Sequence, residues 1–303
     1  MEDFQEIGTV WRNETRRALK SGRVVVLLIL CLLFVGFSLT IGAGLTRLAS
    51  QRPDGSATVV DRAEEEKGRK QVLNTLVTDD EAMLDSLAAV PLLLLGVFKV
   101  TLRFLPLLIA LMGFDQLAGE MAPKSMRFLV ARAKRNSIIA GKLLSQFTLF
   151  AVLMTLCTLL MVGVTKALNP TFESADVAMW TVKILVSSLV LSLAYLSLTA
   201  LFSALVKQSG VALVLNIIFL FVIWFIAAVG EYPRFPGVEV TTPLQMLKPE
   251  SYWAYLRYAS VWHYGDDLLH PQWSRFLTAA LVHIGFALSF LGLAQVAMNR
   301  RDV

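Results

Sequence analysis

Long apolar runs alternate with polar segments along the chain, and six of these runs are long enough to cross a bilayer. They lie near 24–45, 91–113, 143–165, 178–206, 211–230 and 276–298. A helix needs roughly 20 residues to span about 30 Å of hydrocarbon. The fourth and fifth runs are separated only by the polar stretch 207–210, which predicts a tight turn between antiparallel helices. The pattern therefore predicts an all-α integral membrane protein with six transmembrane helices.

Residues 1–23 predict an interfacial helix ahead of the spanning domain at 24–303. Phe4, Ile7, Trp11 and Ala18 share one helical face, and the arginines of this stretch lie largely off it. Such a helix rests its apolar side at the acyl boundary and its arginines near anionic headgroups. A basic tail that only fixes topology is the alternative. The first run, with 22 residues, exceeds the roughly 7–15 of a cleavable signal and predicts a signal anchor.

Composition and charge support this class and orient the chain. Hydrophobic residues make up 56% of the sequence and the mean hydropathy is +0.63, above the usual range of soluble domains. With both termini inside, the inner segments carry 14 Lys and Arg, whereas the longer outer loops carry 11 together with 16 acids. Basic residues mark the cytoplasmic side. We therefore expect cytoplasmic termini, outer loops at 46–90, 166–177 and 231–275, and a large cytoplasmic loop at 114–142.

No motif for nucleotide binding or hydrolysis is present. The sequence lacks G-x-x-x-x-G-K-[ST], G-x-S-x-G and H-E-x-x-H. His263, Asp266, Asp267 and His270 fall within eight residues, so a surface metal site is conceivable. Pro271 disfavours helix at His270, and the spacing fixes no third strong ligand. We therefore predict no catalytic residue, no metal ligand and no directly bound cofactor.

Two charges lie within the second apolar run. Lys99 and Arg103 are four residues apart, so they share one helical face. A charge in hydrocarbon is costly unless it snorkels, pairs or faces water. Two interpretations stay open: the pair lines a cavity or a subunit interface, or the span is short and Lys99 reaches the outer headgroups. Lys183, close to the outer end of the fourth run, is expected to snorkel.

The third outer loop is rich in aromatic residues after a proline-rich entry at 231–243. The stretch 250–273 that follows this entry holds seven Tyr and Trp residues: Tyr252, Trp253, Tyr255, Tyr258, Trp262, Tyr264 and Trp273. Tyr and Trp prefer the headgroup level, where the ring is buried and its polar edge stays wet. We predict one helix, or two short ones, half-immersed at the outer leaflet. The candidate outer gate comprises Tyr255, Tyr258, Trp262 and Tyr264.

The segment 119–142 interrupts two apolar runs with six basic residues and a single acid, Glu120. Gly119–Glu120 opens the segment and Gly141–Lys142 closes it. Ser125, Arg127 and Leu129 lie between these two pairs. This order resembles the cytoplasmic loop of ABC exporter permeases of the type-2 superfamily, which includes the permeases of nitrous-oxide-reductase maturation and of gliding motility. Met121, Lys124 and Ala133 depart from the usual run of that family, which has Arg, Gly and Pro there.

The resemblance implies a permease subunit of an ATP-driven exporter in the bacterial inner membrane. In such transporters this loop forms a coupling helix that docks in a separate ATPase, which carries ATP and Mg. It also implies a second copy of the permease, the bilayer as surroundings and no nucleic acid partner. The residues implied for docking are Gly119, Glu120, Lys124, Ser125, Arg127, Leu129 and Arg132.

Charge reversal at Glu120 or Arg127 is therefore expected to act on a docking surface rather than in a core. A function of another class also remains open. The chain would then be an integral-membrane lipid or glycan transferase that uses the outer aromatic segment.

Overall fold

The computed structural model describes residues 2–20, 92–121, 130, 133–168, 174–231 and 255–300, together with scattered helical residues between 22 and 44. Regular structure in these ranges is entirely helical. The long helices are α1 (Glu2–Lys20), α2 (Leu92–Gly113), α4 (Arg135–Leu168), α5 (Ser174–Leu205), α6 (Ser209–Glu231) and α7 (Trp273–Asn299), and the short α3 is Ala118–Met121. Three one-turn 3-10 helices, Leu256–Ala259, Val261–Tyr264 and Asp266–Leu269, form what we call the re-entrant segment. The predicted all-α class is confirmed.

Five stretches of the described chain are long and apolar enough to cross a membrane. They are Arg103–Met121, Arg135–Ala167, Val177–Leu205, Ser209–Val229 and Trp273–Asn299. The chain is thus a multi-pass membrane protein. The predicted first span, 24–45, falls on residues described only in part, so the count of six stays a prediction. The outer loop 46–90 lies outside the described residues.

Helix α4 begins within the predicted cytoplasmic loop 114–142, at Arg135, so the last residues of that loop are helical. Its first two turns carry Lys142 and the buried pair Ile138 and Ile139, which pack with Leu201 of α5. The apolar pattern did not reveal these turns because charged residues interrupt it. Tertiary contacts hold them in helix instead.

Helix α5 is the centre of the bundle and contacts α2, α4, α6 and α7. Small side chains allow helices to approach closely in a membrane, where apolar packing against lipid gives no advantage. The buried small polar residues of α5 are Ser187, Ser188, Ser192, Ser197, Thr199 and Ser203. Small residues on α7 are buried as well, at Ala279, Ala280, Ala287 and Ala294. The α5–α7 pair is the most extensive helix contact in the described part of the chain.

The connection from α2 to α3 is held tightly against α5. A Cβ at Gly113 would lie 2.9 Å from Thr199 Cγ2 and 2.8 Å from Gln116 Nε2, so a side chain does not fit there. The Ser203 hydroxyl accepts hydrogen bonds from the backbone N–H groups of Leu117 (2.9 Å) and Ala118 (3.0 Å). These are N–H groups at the start of a helix, which have no partner within it. α3 is therefore fixed to the central helix.

The end of the bundle that carries α3 also holds α1, the start of α4 and the end of α7. Arg135 donates from one guanidinium nitrogen to the backbone carbonyls of Met298 (2.9 Å) and Asn299 (3.1 Å). A cation suits the last carbonyls of a helix, which carry partial negative charge. We call this the coupling end, and the re-entrant segment lies at the opposite end.

Candidate functional site

Four charged side chains from α1, α3 and α4 meet at the coupling end. Lys142 Nζ lies 2.9 Å from Glu14 Oε1 and 3.0 Å from Glu120 Oε1. Arg17 donates to the same Glu120 oxygen over 2.8 Å. We call these four residues the coupling cluster. Two acids and two bases balance, so the cluster is electrically neutral when all four are charged.

Exposure changes steeply across the coupling cluster. The side chain of Lys142 is 5% exposed and that of Glu120 is 10% exposed. Glu14 is 23% exposed, whereas Arg17 is 71% exposed. Little water therefore reaches the Lys142–Glu120 pair, and a buried charge that loses its partner is strongly destabilising. Arg17 sits at the wet rim, where an ion pair contributes little.

Gly141 explains how α1 comes close enough to α4 for this contact. A Cβ at Gly141 would lie 2.7 Å from the side chain of Val10 and 3.0 Å from the carbonyl oxygen of Ile7. Glycine thus lets the two backbones approach, and the next residue, Lys142, supplies the charge. Farther along α4 the contact continues, because Trp11 Nε1 donates to the Thr148 hydroxyl over 3.0 Å.

The re-entrant segment packs into the bundle rather than resting on it. Val261 and Leu268 are buried in one cluster with the spanning helices. Ser187 donates to the Leu268 carbonyl and Ser260 donates to the Ile223 carbonyl, each over 2.8 Å. Irregular backbone is tolerated at membrane depth only where other protein groups satisfy it. The predicted one or two half-immersed helices are therefore three short turns held by polar side chains.

Lys183 contacts the end of the re-entrant segment. Its Nζ donates to the His270 carbonyl over 2.9 Å and lies 4.7 Å from the centre of the Trp180 ring. The ammonium group therefore fixes the end of the re-entrant segment, and its predicted snorkelling stays a prediction. A cation over an aromatic face is attracted by the ring electrons. The contact joins α5 to the residues that lead into α7.

The four candidate gate residues lie together on the re-entrant segment or next to it. Tyr255 and Tyr258 are exposed, whereas Trp262 and Tyr264 are half-buried. The His263 ring packs edge-on against Tyr258 and Tyr264, with centroids 5.3 and 5.2 Å apart. This surface is accessible and aromatic, but its role as a gate stays a prediction.

The acids near this surface do not gather into a metal site. Burial raises the pKa of the Asp267 carboxyl above its ordinary value. Within the described ranges, no group of three or more His, Cys, Asp or Glu residues could hold a metal ion.

Arg103 connects the second span to the re-entrant segment. Its guanidinium carbon lies 5.6 Å from the centre of the Trp262 ring, and the side chain is exposed. Lys99 lies one turn earlier in α2, but its side chain is outside the described atoms. The structure thus brings one of the two candidate cavity residues against a candidate gate residue.

Comparison with known proteins decides the family. The family model described as ABC-2 family transporter protein matches residues 9–303. The chain belongs to the ABC-2 permease family. No curated protein matches it. ABC-2 permeases are transport components of ABC transporters rather than enzymes, and they normally work with an ABC ATPase in a lipid membrane.

The structure gives the two ends of the segment 119–142 a shared physical role. Glu120 belongs to the Gly-Glu that opens the segment and Lys142 to the Gly-Lys that closes it. Their side chains form an ion pair. The Glu120 side chain is turned into the coupling cluster, and its predicted docking role stays a prediction. Gly119 is exposed, and a Cβ at this position would make only ordinary contacts. The other predicted docking residues, Lys124, Ser125, Arg127, Leu129 and Arg132, lie outside the described residues.

Sequence reasoning missed the two members of the coupling cluster on α1. Glu14 lies between Trp11 and Ala18 on the otherwise apolar face of the helix. An acid on such a face is a signal for a buried basic partner. The partner could not be named from sequence, since Lys142 is 128 residues away.

Proposed function

We propose that this ABC-2 permease is the membrane-spanning subunit of an ATP-driven exporter, and that the segment after Glu120 docks a separate ABC ATPase. The observation that carries the proposal is the coupling cluster. It joins the residue where that segment starts to α1 and to the first turns of α4. A docked segment held in this way transmits displacement to the bundle instead of bending alone.

Both ends of the segment have further anchors that support this role. Ser203 of α5 binds the start of α3, and Arg135 at the start of α4 binds the end of α7. A force applied between residues 121 and 135 would therefore reach α1, α4, α5 and α7 together. We infer that these contacts carry ATPase motion to the spans.

The proposed assembly contains two copies of the permease and an ATPase that binds ATP and Mg. We place it in the bacterial inner membrane with the coupling end in the cytoplasm. The presence of α1 and the end of α7 at the same end of the bundle supports an even number of spans. Arg103, an exposed charge inside the second apolar run, supports a water-lined cavity shared with Lys99 and a substrate with an anionic group.

The proposal is tested by recovery of the ATPase with the tagged permease from native membranes. We compare Arg127→Glu, inside the docking segment, with Lys207→Glu, an exposed lysine in the turn between α5 and α6. We expect Arg127→Glu to lower ATPase recovery at least tenfold and to abolish permease-dependent stimulation of ATP hydrolysis. Lys207→Glu should leave both unchanged, because it reverses the same charge at the same end but outside the segment.

Three results would count against the proposal. Wild-type recovery with Arg127→Glu would contradict docking at this segment. Absence of any ABC ATPase from wild-type preparations would contradict an ATP-driven complex. Turnover of lipid or glycan donors by the purified chain alone would favour the transferase instead.

A further inference from the structure

Three exposed cations form one edge of α1. Arg12, Arg16 and Lys20 follow each other at intervals of four residues, so they lie in one row along the helix. All three side chains are exposed, and within the described part of the chain none of them forms an ion pair. Arg17 differs, since it is turned to Glu120. The row therefore carries charge that the described residues do not neutralise.

The contacts of α1 with α4 show how this edge sits relative to the membrane. Glu14 meets Lys142, whereas Trp11 meets Thr148, which lies farther into the spanning part of α4. Six residues of helix separate these two contacts along α4, or about 9 Å. Both contacts lie on the face of α1 that packs on α4, and the Trp11 edge of that face lies nearer the spanning part of α4 than the Glu14 edge does.

The row of Arg12, Arg16 and Lys20 lies beside exposed apolar side chains of α1. Phe4 and Leu19 are exposed on the Trp11 side of α1. On a helical projection, Arg12 follows Leu19 around the circumference, and Arg16 and Lys20 come next. An apolar strip next to a cationic row is the arrangement of a helix bound at a membrane interface. A helix bound in this way holds such cations at the level of the headgroups.

We propose that Arg12, Arg16 and Lys20 bind the phosphate groups of anionic phospholipids in the leaflet at the coupling end. Charge complementarity selects anionic headgroups, and the neighbouring apolar strip selects an amphiphile over a free phosphate ion. The permease alone suffices for this interaction, so it does not depend on export or on an ATPase. One edge of α1 is then held by lipid and the other by the coupling cluster.

The test is native mass spectrometry of the full-length permease in detergent with phosphatidylglycerol or phosphatidylcholine. The key comparison is Arg16→Gln against Arg17→Gln, because the two variants lose the same charge at adjacent positions of one helix. We expect Arg16→Gln to weaken phosphatidylglycerol retention about fivefold and Arg17→Gln to leave it unchanged. The triple variant Arg12→Gln/Arg16→Gln/Lys20→Gln should weaken it at least tenfold, with phosphatidylcholine retention unaltered.

Several outcomes would overturn the proposal. Equal losses in Arg16→Gln and Arg17→Gln would mean that net charge alone matters, and unchanged retention in the triple variant would remove the site. Equal loss of both lipids would indicate a damaged apolar surface. Displacement of phosphatidylglycerol by millimolar inorganic phosphate would show an ion site rather than a lipid site. If the triple variant does not fold, the comparison of the two single variants decides.

Discussion

Replacing Lys142 by methionine removes the cation that Glu14 and Glu120 share. The substitution keeps an unbranched chain of similar length in α4, so the change is mainly one of charge. Removing one partner of a buried ion pair costs about 3–5 kcal/mol, since the remaining charge stays buried. Glu14 is partly exposed and Glu120 keeps its contact with Arg17, so the cost should lie at the lower end of this range. We expect about 3 kcal/mol less stabilisation of α1 on the bundle.

Arg17→Gln is the matched control for this prediction. It also removes one positive charge beside Glu120, but from a side chain that is 71% exposed. Exposed ion pairs contribute about 0–1 kcal/mol. A third variant adds Glu14→Gln and Glu120→Gln to Lys142→Met. It should recover most of the loss, because no uncompensated buried charge remains.

Hydrogen–deuterium exchange over residues 2–20 measures how often α1 opens from the bundle. A loss of about 3 kcal/mol corresponds to an opening equilibrium raised more than a hundredfold, since about 1.4 kcal/mol is tenfold. Arg17→Gln should raise it about fivefold or less. Equal exchange in the Lys142→Met variant and in the wild type would refute the reasoning. Equal effects of the two variants would also refute it, because burial would then not decide the energy.

Three further predictions address other parts of the permease. Gly141→Ala should destabilise the α1–α4 contact by about 1–3 kcal/mol through overpacking, whereas Gly163→Ala, where a Cβ meets nothing within 4 Å, should be neutral or stabilising in thermal unfolding. Tyr255→Cys should react with membrane-impermeant maleimide from the side opposite the coupling end, and labelling only from the coupling side would overturn the topology. The double variant Lys99→Gln/Arg103→Gln should lose substrate-stimulated ATPase activity at normal expression, and unchanged activity would eliminate the cavity role.

The spanning helices could be predicted from the sequence because run length alone determines whether a helix crosses a bilayer. The first turns of α4 could not, since Arg135 and Lys142 interrupt the apolar run and are satisfied only by distant groups. Arg135 binds the end of α7, and Lys142 binds α1 and α3. Such pairings depend on how helices that are distant in sequence pack together, and local periodicity does not encode this packing. The 3-10 turns near Leu268 were likewise missed, because their backbone partner is Ser187 of another helix.

The contacts of the segment 119–142 divide its basic residues by role, and this division sharpens the docking hypothesis. Lys142 and Arg135 already bind groups of the same chain, so charge reversal at either position would test folding rather than docking. The charge that a partner recognises must come from the other four basic residues of the segment, which include the predicted docking residues Lys124, Arg127 and Arg132. A cationic surface of this kind attracts an acidic face on the ATPase and sets the orientation of docking. A defect caused by Arg127→Glu in a permease whose α1 exchange is unchanged would therefore report on the partner, whereas Lys142→Met should change α1 exchange first.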